Sequence, residues 1–134
     1  MKHLIHLSIL CMMIFAFSCK HHHGPVANPL YNEVMAIHDE VMPQMGPMNK
    51  LKKKLKTLKE ENPESKDVIL STIVLLENAD EGMMDWMANF KVPEEANEAT
   101  TYLQNEKIKI QKVSDDMKFS MVEAQNLLDS LSIK

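Results

Sequence analysis

The chain has 134 residues, and its 15 basic residues, all lysine, face 19 acidic residues for a formal net charge of −4. This acidic balance argues against nucleic-acid binding, because contacts to phosphates need concentrated positive charge. Only three glycines occur (Gly24, Gly46 and Gly82), which excludes a glycine-rich phosphate-binding loop.

The first predicted element is a signal peptide over residues 1–18. It contains a basic Lys2, an apolar run that ends at Phe17 and a small Ser18 directly before Cys19, which is the three-part layout of a secretory signal. The apolar run is shorter than the roughly 20 residues that a transmembrane helix needs. With a cysteine in the first mature position, the segment resembles the lipobox of a bacterial lipoprotein. The resemblance implies cleavage after Ser18 and a lipid anchor on Cys19.

This signal also constrains location and chemistry. In some bacterial lipoproteins, an aspartate directly after the lipidated cysteine is a signal for retention at the inner membrane. This chain has Lys20 at that position, so by this resemblance the outer membrane is the expected destination. Removal of Cys11 with the signal leaves Cys19 as the sole cysteine, which excludes a disulfide, a thiolate metal site and a cysteine nucleophile. Residues 19–28 are predicted to be a flexible tether, because they are polar and broken by Gly24-Pro25.

Three helices follow, each marked by a proline at its predicted first position. Pro29 and Pro63 each come after an asparagine, and Pro93 comes after Val92. Proline is tolerated there because its missing N–H would be unpaired anyway, and asparagine is a good N-cap. The helices are predicted over 29–60, 63–90 and 93–131, and short connections favour antiparallel neighbours. The predicted fold is an all-α, elongated antiparallel three-helix bundle that forms one domain over 29–134.

Apolar residues recur on one face of each predicted helix, as in a coiled coil. Pro43 and Pro47 lie inside the first helix, where each removes a backbone hydrogen bond. Because the apolar seam keeps its phase across them, we expect one helix kinked at Pro43 and Pro47 rather than two separate helices. The three seams are Val34, Ile37, Val41, Met48, Leu51, Leu55 and Leu58; Ile69, Ile73, Leu76, Met83, Met87 and Phe90; and Ala96, Leu103, Ile110, Met117, Ala124 and Leu131, with Ala99, Val113 and Leu127 beside the third.

The first two helices are predicted to form a layer of soft donor atoms. If they pack antiparallel, His38 lies level with Met87, while Met42 and Met45 share the face of His38 and Met83 lies one turn before Met87. Imidazole and thioethers suit Cu(I) or Ag(I). These five residues are therefore candidate metal ligands, with copper as the cofactor. The alternative is core filling, since methionine fits irregular gaps.

The end of the third helix is a candidate partner-binding segment. At about 1.5 Å per residue this helix is roughly 58 Å long, against about 42 Å for the second. The excess carries Leu127, Leu128 and Leu131. Because an apolar overhang should not stay bare, we expect it to bend back or to pack on a second copy or an envelope protein.

The folded region does not indicate an enzyme. It has one histidine, no cysteine and no nucleophile motif with a glycine-rich turn. The sequence therefore favours a non-enzymatic, membrane-anchored envelope lipoprotein that acts as a structural or protein-interaction module. The alternative is an envelope protein that binds Cu(I) or Ag(I).

Three stretches resemble a group of short bacterial lipoproteins. They are Val-Met-Ala-Ile-His-Asp-Glu-Val-Met-Pro-Gln-Met at 34–45, Leu-Lys-Lys-Lys-Leu at 51–55 and Met-Met-Asp-Trp-Met-Ala-Asn-Phe at 83–90. That group carries the label "viral A-type inclusion protein", a name that reflects coiled-coil composition. The resemblance implies a small helical lipoprotein of unassigned activity, and it supplies no mechanism.

Overall fold

A computed structural model describes residues 28–132. Helix α1 (Pro29–Val41), a 3-10 turn (Met42–Gln44) and α2 (Met45–Glu61) form the first helical segment. A second 3-10 turn (Pro63–Ser65) leads into α3 (Lys66–Asn89), and α4 spans Ala96–Ser132. No strand occurs between residues 28 and 132, and the three helical segments pack against one another, which confirms the all-helical class. The expected signal peptide, Cys19 and tether residues 19–27 lie outside the described residues.

The start of α1 coincides with the predicted start, whereas the other two helices begin later. Asn28 Oδ1 accepts a hydrogen bond of 3.0 Å from the Leu30 N–H, as an N-cap should. Pro63 opens a 3-10 turn and α3 begins three residues later, while Pro93 lies outside α4. Val92, directly before Pro93, has no side-chain acceptor for a helix N–H, so the predicted third start lacks a cap.

The prolines of the first segment have different local effects. Pro43 cannot donate to the carbonyl four residues earlier, and here the chain forms a 3-10 turn in which the Met45 N–H donates to the Met42 carbonyl. Pro47 lies in the first turn of α2, where backbone N–H groups have no intrahelical partner in any case. The interruption is therefore confined to Met42–Gln44.

The core follows the predicted apolar faces, with departures in α3, where Trp86 rather than the predicted Met87 is buried, and in α4. Ser114 and Leu128 are buried where Val113 and Leu127 were expected, and Ala96 is exposed. A straight α-helix drifts about 20° per heptad relative to a strict seven-residue repeat, which moves the buried stripe by one residue. The fully buried apolar residues are Val34, Val41, Met48, Leu55, Ile69, Leu76, Met83, Leu103, Ile110, Met117 and Ala124.

Ion pairs connect the segments on both sides of the core. In the ion pairs between α2 and α3, the residue number in α3 falls as the residue number in α2 rises. In the ion pairs between α1 and α4, both residue numbers rise together. The pairs are Lys52–Asp80 at 2.6 Å and Lys56–Glu77 at 3.0 Å between α2 and α3, and Lys107–Glu33 at 2.6 Å and Lys118–Glu40 at 2.7 Å between α4 and α1.

The C-terminal end of α4, predicted to extend past the second helix and to be covered by bending back or by a partner, packs on the core of its own chain. Leu128 belongs to the buried core, and Leu127 and Leu131 are half-buried against it. Leu58 of α2 packs on the same core and lines a shared cleft with Leu128.

The sequence estimate compared the length of the third helix with that of the second alone. The first segment also runs beside α4 and covers its end. Leu127, Leu128 and Leu131 therefore take part in a helix contact within the chain, and a role for them in binding a partner stays a prediction.

Candidate functional site

His38, in the last turn of α1, occupies a half-buried position facing α3. Its side chain is 16% exposed. Its Nδ1 lies 2.8 Å from Oδ1 of Asp39, and its Nε2 lies 3.4 Å from Sδ of Met87. The contact between residues 38 and 87 agrees with the register predicted from the sequence.

The contact with Asp39 determines the role of one ring nitrogen. A carboxylate oxygen accepts hydrogen bonds and does not donate, so Asp39 accepts a hydrogen bond from Nδ1–H of His38. In the neutral imidazole, Nε2 then carries no proton and directs its lone pair toward Met87. A thioether sulfur has no hydrogen to donate either. Two lone-pair atoms therefore face each other, and a proton or a cation between them would turn this contact into a bonded one.

An aromatic cluster covers one side of the imidazole. The Trp86 indole packs on His38 with ring centroids 5.6 Å apart, and Phe90 packs on Trp86 at 4.8 Å. Tyr31 and Tyr102 extend the cluster through Phe90, at 6.1 and 5.9 Å. Trp86 is 7% exposed, so the cluster shields the ring from water on this side. Trp86 directly precedes the candidate ligand Met87 in the sequence, whereas no feature of the sequence pointed to Tyr31 and Tyr102.

The other predicted ligands lie in the same core at different depths. Met83 is fully buried, while Met42 and Met45, on either side of Pro43 and Gln44, are half-buried and pack against the core. The structure thus brings His38 and Met87 into contact and places the remaining three methionines in the surrounding packing. In residues 28–132, no three His, Cys, Asp or Glu side chains converge as a metal-binding group.

Several polar side chains of α4 are buried, which the apolar seam did not reveal. Glu106 is buried and accepts a 2.7 Å hydrogen bond from Lys109. This hydrogen bond and the charge attraction raise the pKa of Lys109 above its ordinary value of 10.5. Ser114 and Ser120 are each 1% exposed. The Ser120 hydroxyl donates to the Met117 carbonyl at 2.9 Å, whereas the Ser114 hydroxyl has no hydrogen-bond partner among the described groups.

A second surface feature lies between α3 and α4. Leu75 and Phe119 line a cleft of about 280 Å³ whose other walls include Asn78 and Asp116. Phe119 is 56% exposed, and Val122, one turn further along α4, is equally exposed. We call Leu75, Phe119 and Val122 the outer strip. The sequence reading missed it, because these residues lie off the predicted seams.

Comparisons with known proteins add no relative. No protein-family model matches the chain, and no curated protein or solved structure is significantly similar to it. Across residues 28–132, none of the helices combines the length and the apolarity needed to traverse a bilayer.

Proposed function

We propose that this protein is a non-enzymatic lipoprotein of the bacterial cell envelope that acts as a protein-interaction module. The support for the anchor is the signal-like sequence of residues 1–18 followed by Cys19. Lys20 favours the outer membrane over the inner one. In this proposal the tether of residues 19–28 joins the lipid to the helical domain, which binds its partner through its surface and carries out no reaction.

The outer strip is the observation that carries the interaction role. Phe119 projects from α4 with more than half of its side chain in water, although burying such a side chain stabilises a structure by about 1.5–3 kcal/mol. Aromatic residues seated in a pocket commonly dominate binding energy. Asn78 and Asp116 at the same cleft supply the polar rim that interfaces have around an apolar centre.

A second copy of this chain is the proposed occupant. The cleft lies between two helices, and such a groove accepts the side-chain ridge of a third helix. Phe119 and Val122, three residues apart on α4, form a ridge of this kind. In a dimer with two-fold symmetry, the ridge of each copy would therefore lie in the groove of the other copy. Anchoring both copies to one membrane would raise their effective concentration.

We also propose the finer topology, an elongated up-down-up bundle whose first segment is kinked at Met42–Gln44. Between α2 and α3, the paired residue number in one helix falls as that in the other rises, which supports an antiparallel arrangement of these helices. The common running sense of the pairs between α1 and α4 supports a parallel one.

Lipid labelling of the full chain in a bacterial host tests the anchor. Incorporation of radiolabelled palmitate should be abolished by Cys19→Ser and retained by Cys11→Ser, which is the matched control inside the apolar run. The protein should at the same time leave the membrane fraction in the Cys19→Ser variant. Undiminished labelling of Cys19→Ser would show that the anchor assignment is wrong.

Photo-crosslinking in intact cells tests the outer strip. With p-benzoylphenylalanine in place of Phe119, irradiation should give an adduct of about twice the mass of the processed, lipid-bearing chain. The control replaces Ile108, which is more exposed than Phe119 but lies among polar residues, and should give no such adduct. An adduct of another mass assigns the strip to a different protein. Equal adducts from both positions, or none from position 119, contradict the proposed surface.

A further inference from the structure

We infer that His38 Nε2 and Met87 Sδ are two ligands of a binding site for a soft monovalent cation, Cu(I) or Ag(I). The inference is independent of the lipid anchor and of the outer strip, because it rests on the contact between α1 and α3. It narrows the five candidate ligands of the sequence to the pair that the structure brings together.

The separation of the two donors fits a shared metal ion. Typical metal bonds are about 2.0 Å to an imidazole nitrogen and about 2.3 Å to sulfur, as known for zinc. Bonds of this length to atoms 3.4 Å apart meet at an angle of about 100° at the metal. This angle belongs to a site of three or four ligands. Met42 and Met83 lie one helical turn from His38 and Met87 respectively, which makes them the nearest candidates in sequence for the remaining positions.

The surroundings select a soft cation rather than a hard one. A thioether is a soft donor, and imidazole accepts copper readily. Asp39 holds the other ring nitrogen at 2.8 Å, which is the outer-shell hydrogen bond that orients metal-bound histidines. Its carboxylate also adds a negative charge beside the cation. Trp86, packed on the imidazole, limits access of water to the site.

Core filling alone leaves the imidazole unexplained. A leucine at position 87 would fill similar space, and a half-buried Nε2 lone pair facing sulfur gains no hydrogen bond in the neutral ring. Burying a polar atom without a partner costs free energy. Either a proton on Nε2 or a soft cation bonded to both atoms removes this cost. A thioether is a weak hydrogen-bond acceptor but a good ligand for soft metals, which is why we assign the pair to cation binding.

The single tryptophan of the chain makes the site directly observable. The test uses the full chain in detergent with Cys11 and Cys19 replaced by serine and His21, His22 and His23 by alanine, titrated with Ag⁺ in chloride-free buffer. Trp86 emission should change and saturate at one equivalent. Methionines far from the indole do not contribute to this signal. Competition with a chromogenic Cu(I) chelator under anaerobic conditions then gives the Cu(I) affinity.

Two methionines of α3 provide the matched comparison. Met87→Leu should weaken Ag⁺ binding at least about tenfold, equivalent to about 1.4 kcal/mol. Met84→Leu, which changes an exposed methionine three residues earlier, should stay within about twofold, because a side chain outside the site contributes little. If circular dichroism shows that Met87→Leu is unfolded, His38→Gln replaces it. The absence of a saturable change, or an equal loss in both methionine variants, would overturn the assignment.

Discussion

Ser114 and Ser120 form a natural matched pair for measuring the cost of an unpaired hydroxyl. Both lie in α4, both are 1% exposed, and they differ in one respect. The Ser120 hydroxyl donates to a backbone carbonyl, while the Ser114 hydroxyl has no partner among the described groups. Replacing each with alanine removes the same atom from two environments that differ in hydrogen bonding.

The expected free-energy changes have opposite signs. An unpaired buried hydroxyl costs about 1–3 kcal/mol, and alanine is favoured over serine inside a helix by about 0.5 kcal/mol. Ser114→Ala should therefore raise the free energy of unfolding by about 2 kcal/mol. Ser120→Ala gains the same propensity but loses a hydrogen bond worth about 1 kcal/mol. It should be destabilising by about 0.5 kcal/mol.

Urea denaturation followed by circular dichroism measures both values in the same buffer. At about 4 °C per kcal/mol for a domain of this size, Ser114→Ala should also raise the Tm by about 8 °C. A difference between the two variants below about 1 kcal/mol would refute the reasoning. It would mean that the Ser114 hydroxyl is hydrogen-bonded in solution, for instance to a buried water molecule.

Two further predictions concern the helix contacts. Gly82→Ala should stabilise the protein by about 1 kcal/mol in the same denaturation assay, because alanine is favoured over glycine inside a helix. The added Cβ would meet the Val113 side chain at an ordinary contact distance of 4.0 Å. Destabilisation would show that α3 and α4 approach more closely than described. Lys52→Gln should cost about 1.5 kcal/mol, because its pair with Asp80 is largely buried, whereas Lys56→Gln breaks an exposed pair and should cost less than about 0.5 kcal/mol. Equal effects of the two lysine changes would contradict this difference in burial.

Helix positions were predictable wherever local chemistry determines them. Asn28-Pro29 specifies both a cap and a first-turn residue, and α1 begins there. Val92-Pro93 supplies a proline but no capping side chain, and α4 begins three residues after this proline, at Ala96. The core faces followed from apolar spacing, whereas the shift toward Ser114 and Leu128 arises from the 3.6-residue period of a straight helix, which a seven-residue pattern conceals.

The candidate site was predictable in register but not in detail. The sequence placed His38 level with Met87, because helix spacing and a short connection determine which residues lie opposite one another. It could not predict that Asp39 holds one ring nitrogen, since this depends on side-chain rotamers. Phe119 was missed for a different reason. Its exposure follows from its position off the apolar seam, but the cleft that it shares with Leu75 of α3 depends on how two helices pack together, which no single helix encodes.

The two proposed sites lie far enough apart to be tested separately. Leu75 and Met87 are twelve residues apart on α3, which corresponds to about 18 Å along the helix axis. Sites separated by more than about 10 Å with no shared partner usually act additively. Met87→Leu should therefore leave crosslinking from position 119 unchanged, and replacing Phe119 should leave the Ag⁺ response of Trp86 unchanged. A response of either site to the other's variant would mean that α3 transmits a change along its length, so that metal binding regulates association.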